Sequence, residues 1–113
     1  MKWDEANREL NRIEEEREDI QKEIRTIDRE LDEFDEVQRE MKEFFKDVWR
    51  HCEDQCFIRR MELCEEEIYS CAKKDEEILL ERKEELERQK RETFYREETL
   101  REKISREEIS DRK

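Results

Sequence analysis

From Trp3 to Cys52, side chains three and four residues apart form one nearly unbroken apolar stripe, and this spacing constrains the fold more than any other feature of the sequence. After Trp3 the positions run Ala6, Leu10, Ile13, Arg17, Ile20, Ile24, Ile27, Leu31, Phe34, Gln38, Met41, Phe45, Val48 and Cys52, with only Arg17 and Gln38 polar. An amphipathic helix on a globular body follows a period of 3.6, and against a strict 3.5 repeat it drifts by about 20° per heptad. A 3.5-residue repeat held this long predicts a left-handed coiled coil.

The rest of the composition agrees. Gly and Pro are both absent, so the chain lacks the residues that most readily build tight turns or stop helices. Charged residues make up 57% of the chain and hydrophobic ones 32%, against roughly 25% and 45–50% in ordinary domains. A large closed core is excluded on this balance, and partners are expected to complete it. Intrinsic disorder shares the low hydrophobicity and the net charge of −12, but it does not produce a periodic apolar stripe. The expected fold is all-α: an elongated antiparallel coiled-coil hairpin or small helical bundle. The alternative is one continuous helix of about 170 Å in a parallel oligomer.

A break in the frame favours the hairpin. Beyond Cys52 the first repeat would bring Gln55 and Arg59 into the seam, whereas the apolar residues that follow are Phe57, Met61, Cys64, Ile68 and Cys71. This two-residue offset matches neither a stutter nor a stammer, and a chain reversal accounts for it. Asp54 is the only cap-like residue there. The expected division is a heptad-repeat helix over 1–56, a second helix packing back over 57–80, and a charged helical arm over 81–113. In that arm Lys83, Lys90 and Glu97 alternate with Leu86, Thr93 and Leu100. Glu-to-Arg pairs four apart support it locally: Glu84–Arg88, Glu87–Arg91, Glu92–Arg96, Glu97–Arg101, Glu102–Arg106 and Glu108–Arg112.

The stripe widens from Val37, where Phe44, Trp49 and Cys56 add to its edges. A two-helix seam does not need that width. Phe44, Phe45, Trp49 and Phe57 are therefore the candidate partner-docking residues, with Phe94 and Tyr95 as further contacts on the arm.

No catalytic or cofactor-binding residues are expected, since the chain has one histidine, no glycine loop and carboxylates spread over solvated faces. No metal site is expected either: Cys64 and Cys71 stand about 10.5 Å apart along a helix, too far for one tetrahedral ion. A turn near Arg59 to Met61 would set Cys56 opposite Cys64 and Cys52 opposite Cys71, which makes disulfides possible. The other reading is free thiols packed as small apolar residues in the seam.

Cys52-x3-Cys56 and Cys64-x6-Cys71 distantly resemble the twin-cysteine helical hairpins of the mitochondrial intermembrane space, although that family spaces its cysteines equally in both helices. The resemblance implies an oxidised accessory subunit or assembly factor of a respiratory complex. The leading expectation from the residues themselves is a non-enzymatic structural or adaptor subunit binding other proteins by helix packing, in a hetero-complex or homo-oligomer. A small coiled-coil chaperone or stalk protein of a secretion machine is the third reading. Direct nucleic-acid binding is not expected without a basic stripe. No membrane span or targeting segment is expected, and the cytoplasm is the expected compartment unless the cysteines are oxidised.

Overall fold

A computed structural model describes residues 3–111, and these form an all-α helical hairpin: α1 spans Trp3–His51 and α2 spans Gln55–Asp111. Asp4 and Glu5 in the first turn of α1 and Arg50 and His51 in its last turn oppose the helix dipole with the favourable sign. His51 Nδ1–H donates to the Asp47 carbonyl oxygen at 2.8 Å, satisfying one of the terminal acceptors.

The reversal occupies Cys52–Asp54, earlier than the expected turn near Arg59 to Met61. It needs no glycine, because no described residue has positive φ. Asp54 instead caps α2: its Oδ1 accepts from the amides of Cys56 at 3.0 Å and Phe57 at 3.4 Å, and its carbonyl accepts from Ile58 N–H. A side chain thus does what a left-handed residue does elsewhere.

The seam of α1 follows the 3.5 repeat, for every position from Ala6 to Cys52 is buried or half-buried. Trp3 departs from the expectation: it lies in the first turn, where the stripe begins, and is exposed. In α2 the inward positions are Ile58, Met61, Glu65, Ile68 and Ala72, then Glu76, Leu79, Lys83, Leu86, Lys90, Thr93, Glu97, Leu100 and Ile104. The steps alternate three and four except at Ile68–Ala72–Glu76, where two fours meet. That is a single stutter, which locally unwinds the supercoil. Phe57, Cys64 and Cys71, expected in this seam, are exposed. They are spaced like a seam but lie beside it.

The chain divides into two units, residues 1–26 with 83–113 and residues 27–82. In the first, Ala6, Ile13, Ile20 and Ile24 are buried on α1 and Leu86, Thr93 and Leu100 on α2. This corrects the expectation of a solvated arm over 81–113. No helix boundary falls at residue 80 or 81 either, and α1 ends at His51 rather than at 56. The charged seam positions do not prevent packing, because long side chains bury their methylenes and carry the charge to the edge. They also find partners across the seam. Arg17, one of the two polar intrusions in α1, ion-pairs with Glu97 and donates from Nε to Thr93 Oγ1 at 3.3 Å, while Lys90 Nζ reaches Gln21 Oε1. Thr93, wholly buried, donates to the Lys90 carbonyl at 2.6 Å.

Of the expected Glu-to-Arg pairs, Glu97–Arg101 forms at 3.0 Å. Arg88 instead joins Glu85 and Glu92, which hold its guanidinium more firmly protonated than usual, and Arg96 crosses to Glu16 at 2.8 Å. An arginine at the helix–helix edge reaches the other helix as readily as its own next turn. The expected Glu108–Arg112 pair lies outside the described residues. In the second unit, Ile27 and Phe45 are the buried side chains, and the other seam residues of α1 there are half-buried.

Candidate docking surface

Two columns of side chains flank the seam of a hairpin, and the residue just before each first seam position of a heptad lies on one of those flanks. On α1 that column reads Glu9, Glu16, Glu23, Glu30, Val37, Phe44 and His51. Its antiparallel counterpart on α2 also holds a residue just before a seam position, and the pair Glu16–Arg96 shows the two columns meeting. Through residues 9–30 the α1 column is uniformly acidic, as a solvated coiled-coil edge requires. At Val37 it turns apolar.

In the unit of residues 27–82 Phe57, Cys64 and Cys71 each stand just before a first seam position of α2, and Ile78, seven residues on but past the stutter, stands just before Leu79 and borders the same flank. None of the four is buried. Val37 is 51% exposed, Phe44 57%, Phe57 44% and Ile78 63%. Val37 and Ile78 face a common open groove between the helices, floored by Phe34 and Leu79 and rimmed by Glu30, Glu33 and Asp75. The hairpin therefore covers its seam and leaves this flank bare.

The six candidate docking residues separate. Phe44 and Phe57 lie on the bare flank. Phe45 does not: it is 5% exposed, a seam residue whose ring packs edge-on against Phe44 at 5.5 Å between centroids. Trp49 is half-buried on the opposite flank, where Lys42 Nζ also sits 5.8 Å over the Tyr69 ring. Phe94 and Tyr95 belong to the other unit; the Arg17 guanidinium lies 4.0 Å over the Phe94 ring, and Tyr95 is exposed. Sequence reasoning marked Val37 as the start of the widened stripe and missed Ile78 as an exposed residue beside it. The signal was the switch from Glu to apolar at constant seven-residue spacing.

The four cysteines are free thiols. Cys56, Cys64 and Cys71 are exposed and Cys52 is half-buried, which corrects both the expected disulfides and the expected buried thiols. With the turn at Cys52–Asp54, the other three cysteines share α2. Cys56 and Cys64 are then about 12 Å apart along one helix, beyond the roughly 7 Å limit between Cα atoms for a bridge. Cys71 stands 16 residues past Gln55, where α2 begins, about 24 Å along that helix from the turn that holds Cys52, so that pair is equally out of reach. The arrangement also departs from the twin-cysteine hairpins, whose cysteines are shared between both helices.

Electrostatically the surface is simple. Glu97 is held below the usual carboxylate range, first by the hydrogen bond from Arg17 and then by that from Arg101, with partial burial opposing both. That carboxylate ties α2 to α1 across the seam and lines an open groove with Arg17, Arg91, Phe94, Tyr95, Glu98 and Arg101. No group of three or more His, Cys, Asp or Glu stands close enough to share a metal ion among the described residues, and none of the described helices is long and apolar enough to cross a membrane. Compared with protein-family models, curated proteins and solved structures, the chain matches none.

Proposed function

We propose that this chain is a non-enzymatic helical subunit that joins a larger protein assembly by packing a partner on the bare flank of residues 27–82. One observation carries this reading. Val37, Phe44 and Phe57 stand along one edge at positions that elsewhere hold charged or polar residues, Ile78 borders them, and all four are exposed. A hairpin with no further contact gains nothing from such a column, since exposed apolar rows promote association. The cysteine positions give the oxidised intermembrane-space reading no support, because the geometry that would oxidise them within one chain is missing.

The test is a double variant, Phe44→Ser with Ile78→Ser, compared with the wild type by affinity isolation and cross-linking from Lys42, Lys46, Lys73 and Lys74. Helicity and thermal midpoint are expected to stay within about 2 °C, because exposed positions contribute little to folding. The wild type is expected to yield cross-links from these lysines to other proteins, and the variant to lose them. A variant that keeps both its helicity and its partners would end the docking reading.

A further inference from the structure

The occupant of this flank follows from its length, its spacing and its charge. Phe57, Cys64 and Cys71 stand seven residues apart just before first seam positions, and Ile78, past the stutter, extends the row to 21 residues, about 31 Å of helix. A seven-residue repeat matches another helix in coiled-coil register, because only an underwound helix stays in step with it. The groove beside Val37 and Ile78 is open to solvent, which suits a helix laid over it better than an enclosed small molecule.

Charge then selects among helices. Residues 27–82 hold 19 Asp or Glu against 10 Lys or Arg, a net charge of −9, whereas the remainder of the chain carries −3. The groove rim is acidic at Glu30, Glu33 and Asp75, and no basic side chain lines it. Outside Val37 and Phe44 the next column of α1 reads Glu33, Glu40 and Asp47, acidic at every heptad. Beside the α2 column stand Arg60, Glu67 and Lys74, so the acidity lies on the α1 side; a second copy laying its α1 side there would set two acidic columns together, and like charges in apposition are unfavourable. Nucleic acid and anionic membrane are repelled for the same reason.

We infer that the flank of Val37, Phe44, Phe57 and Ile78 takes one basic amphipathic helix of about three heptads, with apolar residues at its seam positions and Lys or Arg beside them. This rests on the docking function proposed above and names its partner class. The apolar column supplies contact area, and the acidic rim sets which helices are accepted and raises the rate at which they arrive.

The probes are two synthetic 21-residue peptides with identical Leu seams, one flanked by Lys and the other by Glu, titrated against the full chain by fluorescence anisotropy. The Lys peptide is expected to bind at least about tenfold more tightly than its Glu twin, to weaken as salt screens the rim, and to slow alkylation of Cys64 and Cys71. The variant Ile78→Asn, exposed and so folded normally, is expected to lose both binding and protection. Neutralising the rim with Glu30→Gln, Glu33→Gln and Asp75→Asn is expected to erase the preference while leaving helicity intact. Equal affinity for the two peptides would overturn the charge selection and leave the docking reading standing. Thiol protection that appears without peptide as protein concentration rises would make a second copy the occupant and overturn the inference. Binding insensitive to Ile78→Asn would reduce the Lys peptide to diffuse attraction and overturn it also. Failure of both peptides to bind or protect would remove the docking reading itself.

Discussion

Leu86 is the sharpest probe of whether the C-terminal half of α2 packs, because it is 1% exposed in a segment whose neighbouring seam positions, Lys83 and Lys90, are charged. Leu-to-Ala changes in cores cost about 2–5 kcal/mol, depending on how fully the site collapses. A two-helix seam has solvent on both edges and can close around a smaller residue, so the lower part of that range applies, about 2–3 kcal/mol. With an unfolding entropy of roughly 2.1 cal/mol/K per residue, 113 residues give about 0.24 kcal/mol/K, and the expected fall in Tm is about 8–13 °C. Leu63 supplies the control: it lies on the same helix but is 59% exposed, and Leu63→Ala is expected to move Tm by about 2 °C or less. The assay is circular dichroism at 222 nm under reductant, at two protein concentrations to expose any association. If Leu86→Ala melts within about 3 °C of the wild type, residues 83–111 do not pack on α1 and the account of that unit is wrong.

Three further outcomes follow from the same geometry. Asp54→Ala removes the cap of α2 and is expected to cost about 0.5–2 kcal/mol, read as a Tm loss of about 2–8 °C, with Asp54→Asn keeping most of the stability. Arg17→Ala leaves Glu97 without its cross-seam partner and is expected to cost about 1–3 kcal/mol in chemical denaturation, whereas Arg17→Leu with Glu97→Leu is expected to equal or exceed the wild type. Because Glu97 is depressed in the folded state, its contribution is present above the unfolded carboxylate range and is lost as pH falls through the folded value. The Tm gap between wild type and Glu97→Gln is therefore expected to hold from about pH 6 to 8 and to shrink progressively as pH falls below the ordinary Glu value of about 4.3.

The sequence displays α1 openly and α2 only in part, for a physical reason. In α1 nearly all seam residues are apolar, so the repeat and the seam are the same pattern. In α2 they separate. Glu65, Glu76, Lys83, Lys90 and Glu97 lie inward with their charges led to the edge, while Phe57, Cys64, Cys71 and Ile78 imitate a seam from the flank. Apolar spacing alone cannot say which of two adjacent columns faces the partner helix. The reversal was visible as a frame jump, but its position was not, since Asp54 caps a three-residue turn that contains no Gly, Pro or Asn. The complementarity of Arg17 and Glu97 was present in the two columns, yet it becomes meaningful only once the antiparallel register sets them opposite one another. The widening from Val37 was legible, and Val37, Phe44 and Cys56 among its residues are exposed, whereas Trp49 is half-buried and Phe45 belongs to the seam.

The bare flank exists only if Cys64 and Cys71 stand outside the seam, and their reactivity measures that directly. The purified, reduced protein is treated with N-ethylmaleimide at low micromolar concentration, and modification of each thiol is followed by peptide mass against the same chain in denaturant. Both cysteines are expected to react within a few-fold of the denatured rate, with Cys52 slower. If Cys64 and Cys71 were instead protected by about 100-fold or more at every protein concentration, they would be reached only by opening of the helix pair. The seam would then run through Phe57, Cys64 and Cys71, and the bare flank would not exist.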